Sequence, residues 1–202
     1  MKVELTGGEY SDKIDAYLTV HKLSSMKRTG WVDNGVPESE TIMCHMYDAW
    51  LLAKIFLPDE MSEPGYDKDR ILEMLLIHDI AESITGDIVT PKKELDPRYD
   101  LEESEAMEHL LIEIGDERLK SLWAEWDDCI TINSVIAKDM DVLQMIVQYC
   151  LFRPVTPMLQ TEESTSKWLG NKRRLKSSVA LELYDIIVPK ILSVDEVRAK
   201  KV

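Results

Sequence analysis

Four side chains far apart in this sequence have the types that a divalent metal ion accepts: His45, the adjacent pair His78 and Asp79, and Asp141. Imidazole nitrogen with carboxylate oxygen suits Zn²⁺, Mn²⁺, Fe²⁺ or Co²⁺ without help from a thiolate. Two histidines and two aspartates leave positions of an octahedral ion open to water or substrate, which fits hydrolysis better than a structural clamp. Glu82 follows His78 and Asp79 by four and three residues, so on a helix it lies one turn along. There it has two candidate jobs: orienting a ligand, or acting as general base or acid beside a metal-bound water. Cys44 abuts His45, but neighbours on a helix point about 100° apart, which sets it aside from the group.

Each residue alone also has a plain reading. His45 suits a core histidine bonded to a carbonyl, and Asp141 beside Asp139 suits a solvated helix face. Their joint setting argues otherwise, because each falls amid apolar residues at helical spacing. Residues 42–57 carry Ile42, Met43, Met46, Trp50, Ala53 and Leu57 on that spacing, with Ser39 or Thr41 as cap and Pro58 as stop. Asp67 caps a second helix over 68–84 that is apolar on most sides, as befits the centre of a bundle. His78 and Asp79 are therefore expected to be buried, where charged groups persist only if paired or metal-bound. Asn133 or Ser134 caps a third helix, carrying Val135, Ile136, Met140, Leu143, Ile146 and Val147.

Further helices are expected over 11–25, 101–114, 117–126 and 172–192. The stretch 88–98, with Pro91 and Pro97, reads as a loop. Gly86 sits where a helix C-cap belongs. Pro154, Pro157 and the polar run 161–167 read as a break before the last helix. No stretch alternates as a strand would, and no segment repeats. The fold class is all-α.

A chain of 202 residues is long enough for one domain with a substantial core. Its net charge of −14 repels a phosphate backbone, which excludes nucleic-acid polymers as partners. A small phosphorylated substrate is not excluded, since a metal ion dominates its local field. No stretch has the apolar length to cross a bilayer, and residues 1–13 lack the apolar core of a signal peptide. A cytoplasmic location is the expectation. Three cysteines without CxxC spacing are expected to be reduced thiols.

The pattern His…His-Asp…Asp resembles the HD-domain metal-dependent phosphohydrolases. Beyond those positions, Lys27-Arg28-Thr29-Gly30-Trp31, Gly35-Val36-Pro37-Glu38-Ser39, Leu76-Ile77-His78-Asp79-Ile80-Ala81-Glu82, Thr85-Gly86-Asp87-Ile88, Thr90-Pro91 and Lys138-Asp139-Met140-Asp141 resemble the branch containing 5′-deoxynucleotidases. They occur in the family order between about residues 14 and 150. The resemblance implies an HD-domain bundle of about six main helices, with the metal in its core. It implies one divalent transition metal (Co, Mn, Zn, Fe or Ni) held by His45, His78, Asp79 and Asp141, and hydrolysis of 2′-deoxynucleoside 5′-monophosphates. By the same carry-over, Glu82 matches the acidic residue that activates or positions water, and Arg28 the arginine that orients phosphate. The resemblance also implies that Trp31 helps to line the nucleoside site and that residues 87–90, through Asp87 and Thr90, match the loop that contacts substrate. A homodimer is usual in this branch.

Alternatives remain beside these roles. Trp31 suits a packing anchor, Asp87 a turn residue after Gly86, and Lys27 with Arg28 a solvated turn. His21 and His109 have no partner in the pattern. The family commonly shows a Pro-Glu-Ala-like segment before Lys138, where this chain has Asn133-Ser134-Val135-Ile136-Ala137. Nothing beyond Phe152 matches a motif, and Lys172, Arg173 and Arg174 read as a helix-start surface rather than a phosphate or partner site. The whole chain reads as one HD domain, frayed over 1–10, with 153–202 a C-terminal helical extension packed on the core. Competing functions are hydrolysis of another nucleotide or phosphate ester, and a non-catalytic metal-binding helical scaffold. The scaffold is disfavoured because no ligand position and no Glu82 is lost.

Overall fold

The computed structural model describes residues 10–199, so the reading of the N-terminal residues as frayed lies, Tyr10 apart, outside the described residues. Among the described residues eleven α-helices follow one another: α1 Ser11–His21, α2 Thr29–Asp33, α3 Ile42–Phe56, α4 Lys68–Ile77, α5 Glu82–Thr85, α6 Thr90–Leu95, α7 Arg98–Ile114, α8 Glu117–Asp128, α9 Ile132–Phe152, α10 Glu162–Leu169 and α11 Ser178–Ala199. Among the described residues the only β-type pairing is an isolated bridge between Lys27 and Thr41, so the fold is all-α as expected. No helix among them is long and apolar enough to cross a membrane.

α9 is the axis of the bundle. It packs against α3, α4, α8 and α11, and its Ile136, Ala137, Met140, Leu143 and Ile146 are wholly buried. Its cap is Thr131, whose hydroxyl accepts from Ser134 N–H in a capping box, two residues before the earlier of the two expected caps. Asn133 has another task. Its amide accepts from Asp67 N–H (2.8 Å) and donates to the Gly65 carbonyl (3.0 Å), tying the start of α9 to the start of α4. Thr41 caps α3 and Asp67 caps α4, while Ser39 is buried instead.

The helix expected over 68–84 is broken. α4 ends at Ile77, residues 78–81 form a turn, and α5 restarts at Glu82. Through this stretch Ile80, Glu82, Ser83 and Ile84 N–H reach back three residues, to the carbonyls of Ile77, Asp79, Ile80 and Ala81. The Leu75 carbonyl receives His78 Nδ1 at 3.0 Å. Apolar spacing cannot reveal such a change, because i+3 and i+4 neighbours share one face. Gly86 then ends α5 at φ +79°, a conformation residues with a Cβ rarely adopt.

Two other boundaries differ. The expected loop at 88–98 contains α6, with Pro91 in its first turn. The polar run 161–167 forms most of α10, because Thr161 accepts from Ser164 N–H and Glu162 and Glu163 favour the first turn. The last helix starts at Ser178, six residues later than expected, after a 3₁₀ turn over Gly170–Arg174.

Asp139 fixes that approach. Its carboxylate is 3% exposed and accepts from Lys176 N–H, Ser177 N–H (2.6 Å) and the Ser177 hydroxyl (2.6 Å) at the mouth of α11. Asp139→Ala leaves those donors without their acceptor and is expected to cost about 2–4 kcal/mol. Urea unfolding checks this, as a lower midpoint with an unchanged slope.

Candidate metal centre and its cleft

Three elements bring the four candidate ligands to one point. His45 lies on α3, His78 and Asp79 in the turn after α4, and Asp141 on α9. His45 Nε2 is 3.0 Å from Asp141 Oδ1 and 3.6 Å from Asp79 Oδ2. His78 Nε2 is 3.3 Å from Asp79 Oδ2 and 3.9 Å from Asp141 Oδ1. Both histidines are buried, and neither Nε2 has a hydrogen-bond partner among the described residues. Their other ring nitrogens are engaged, His45 Nδ1 with Gln144 Oε1 at 2.7 Å and His78 Nδ1 with the Leu75 carbonyl. Each Nδ1 faces an oxygen acceptor and so carries the proton in a neutral ring, which leaves the Nε2 lone pair towards the carboxylates. A ring nitrogen buried without a hydrogen bond is costly, and a metal ion between these atoms would relieve that cost. His45, His78 and Asp141 bring one ligand atom each within 4.8 Å of one another, a set that fits a divalent metal ion, and Asp79 Oδ2 borders it.

Arg28 and Glu82 flank the cluster. Arg28 Nη1 is 3.0 Å from Asp79 Oδ2, 3.7 Å from Asp87 Oδ1 and 3.9 Å from Glu82 Oε2. Burial opposes the guanidinium charge, but the surrounding carboxylates outweigh it and raise its pKa further. Burial also opposes the Asp79 carboxylate, yet His78 and Arg28 hold its pKa well below the usual range. Glu82 goes the other way. Burial, reinforced by the Asp79 charge and only partly offset by Arg28, pushes its carboxyl well up. Neighbouring carboxylates with pKa values driven apart are the arrangement of acid–base sites. Glu82 Oε2 is also buried without a hydrogen-bond partner among the described residues.

The remaining expected contacts are distributed unevenly. Asp87 faces Arg28, but its carboxylate also accepts from Thr29 N–H and its carbonyl from the Thr29 hydroxyl (2.8 Å), which clamps the start of α2. Trp31 is 2% exposed, stacks on Trp168 at 4.4 Å and borders the cleft only as part of an aromatic wall. Thr90 opens α6, and its side chain lies outside the described residues. His21 stacks on Tyr17, and His109 pairs with Glu113 away from the site.

Above the cluster opens a cleft of about 1030 Å³. Arg28, Asp79, Glu82 and Asp141 line it together with Trp123, Trp126, the Lys93–Glu103 pair, Lys138, Lys167, Arg173 and Arg174. Sequence reading missed this basic wall because half of it comes from the turn before α11. Lys138 was legible in principle, standing one turn before Asp141. Gln144 was too, one turn after it.

Residues 20–178 match the profile of a family described as HD domain. The chain belongs to the HD-domain family. It is 35% identical over 186 residues to the 5′-deoxynucleotidase HDDC2 of Dictyostelium discoideum, covering 86% of this chain and 97% of that one. It is 33% identical over 136 residues to the human protein of the same name, covering 64% of this chain and 62% of the human one. A solved structure of a conserved hypothetical protein from Pyrococcus furiosus superposes with a TM-score of 0.68 at 25% identity, over 88% of this chain and 99% of that chain.

Proposed function

We propose that this protein is a metal-dependent 5′-deoxynucleotidase, converting 2′-deoxynucleoside 5′-monophosphates and water to deoxynucleosides and phosphate. The observation carrying this reading is the convergence of two imidazole nitrogens that lack a hydrogen bond with two carboxylates, beside Arg28 and Glu82 at the floor of one cleft. The activity carried by the names of the relatives agrees with it. His45, His78, Asp79 and Asp141 would hold the ion, which when bound supplies Lewis-acid polarisation and a more acidic water. Arg28 grips phosphate oxygens through its planar fork. Glu82, protonated more readily than an ordinary carboxyl, takes a proton from the attacking water or delivers one to the leaving 5′ oxygen. Asp87 holds Arg28 and the start of α2 in place, and Trp31 backs the nucleoside wall. The ion is Co, Mn, Zn, Fe or Ni, the protein acts in the cytoplasm as a homodimer, and the segment after residue 153 walls the cleft within one domain.

Phosphate release by metal-free protein reconstituted with Co²⁺, Mn²⁺ or Zn²⁺ tests this on paired deoxy and ribo 5′-monophosphates. Metal-dependent release with a deoxy preference of about tenfold or more in kcat/KM is expected, within the range by which an apolar pocket rejects an added hydroxyl. No release from any monophosphate by metal-loaded protein would sink the reading. The wall of Lys138, Lys167, Arg173 and Arg174 favours a second reading, a nucleotide with more phosphates. Under that reading a deoxynucleoside triphosphate would be hydrolysed faster than the monophosphate.

A further inference from the structure

The proton on His45 is fixed by a chain of hydrogen bonds with a definite polarity. Glu40, just before the cap of α3, accepts from Trp31 Nε1–H at 2.8 Å and from Gln144 Nε2–H at 3.2 Å. A carboxylate only accepts, so the amide nitrogen of Gln144 must face it. The amide oxygen is thereby turned to His45 Nδ1, 2.7 Å away. An oxygen there requires N–H at Nδ1, which leaves the lone pair on Nε2, the atom facing Asp79 and Asp141. Gln144 is 3% exposed and His45 fully buried, so water cannot readily substitute for either bond. The Glu40 carbonyl also accepts from Arg28 N–H at 3.1 Å. One residue thus joins the imidazole, the arginine and the aromatic wall.

We infer that Glu40 and Gln144 are positioning residues of the metal centre, setting the His45 tautomer by the direction of the Gln144 amide. This rests on the reading of His45 as a metal ligand. Partners that orient a metal-bound imidazole are worth about 10–100-fold in metal affinity. Polarity, rather than bulk, is what they supply. In Glu40→Gln, the new amide can accept from Trp31 only by turning its NH₂ towards Gln144. Gln144 then flips, offers its own NH₂ to His45 and forces the lone pair onto Nδ1. Adding Gln144→Glu restores the order, because Glu at 144 accepts both from the amide at 40 and from His45 Nδ1–H.

Titration of the metal-free full chain with Co²⁺, followed by visible absorption, tests this together with ring ¹⁵N–¹H correlations of the metal-free protein. Glu40→Gln is expected to weaken Co²⁺ binding by about 10–100-fold and to move the His45 proton off Nδ1. The double variant is expected to return the affinity to within about threefold of the parent and the proton to Nδ1. Unchanged affinity in Glu40→Gln, or a double variant as weak as the single one, overturns the inference, since loss of packing alone would not be rescued. His45→Ala separates the two levels. If it leaves Co²⁺ binding intact, the ligand reading itself fails; if it abolishes binding while Glu40→Gln does not weaken it, only the relay fails.

Discussion

Glu82→Gln is expected to lower kcat on a deoxynucleoside 5′-monophosphate by about 10²–10⁴-fold, the usual worth of a positioned acid or base. The same substitution is expected to leave metal affinity nearly unchanged, because Glu82 stands outside the four candidate donors, 3.9 Å from Arg28 Nη1. Its effect on stability has the opposite sign. The carboxyl is 4% exposed, and burial with the nearby Asp79 charge raises its pKa from an ordinary 4.5. A raised pKa contributes stability below the unfolded value, and that stability is lost as pH climbs towards the folded value. The neutral isostere escapes the loss. Metal-free Glu82→Gln is therefore expected to melt above the parent at neutral pH, the gap closing below about pH 4. Initial rates of phosphate release and thermal melts at the two pH values check both halves. Full activity in the variant would remove Glu82 from the chemistry, and a lower melting point at neutral pH would mean that its charge is well solvated.

Much of this arrangement could be read in the chain before its structure, for reasons that can be localised. His45, the His78–Asp79 pair and Asp141 sit among apolar residues at helical spacing, and helices packed side by side present such positions to a common core. Helix type was therefore legible, while helix ends were less so. The turn at 78–81 is set by which carbonyl each N–H selects, and residue type barely registers that choice. α10 was hidden because its polar residues look like loop, although Thr161 followed by Glu162 and Glu163 is a helix start. The roles of Asp87 and Trp31 depend on partners remote in sequence, Thr29 being 58 residues from Asp87. Glu40 and Gln144 are 104 residues apart, and only the packing of α3 on α9 makes them neighbours.

Arg28→Ala is expected to separate substrate handling from metal binding more sharply than any other single change. Its guanidinium lies 3.0 Å from Asp79 Oδ2, the same oxygen that faces both histidines, so it competes with a divalent ion for that atom. Removing it deprives the phosphate of its fork and is expected to cost about 10²–10³-fold in kcat/KM. It also leaves Asp79, Glu82 and Asp87 facing one another without a cation, and breaking such a pair in a setting only 18% exposed costs about 3–5 kcal/mol. That loss belongs to the metal-free protein. A divalent ion supplies the missing charge, so its stabilisation of Arg28→Ala should exceed its stabilisation of the parent, with affinity equal or tighter. Arg28→Lys keeps the charge and most of the stability but not the bidentate geometry, so its turnover should stay low. Chemical unfolding with and without Co²⁺, beside phosphate release, measures all three. If affinity instead falls in step with turnover, Arg28 organises the ligands rather than the phosphate, because a competing cation can only be removed to the metal's advantage.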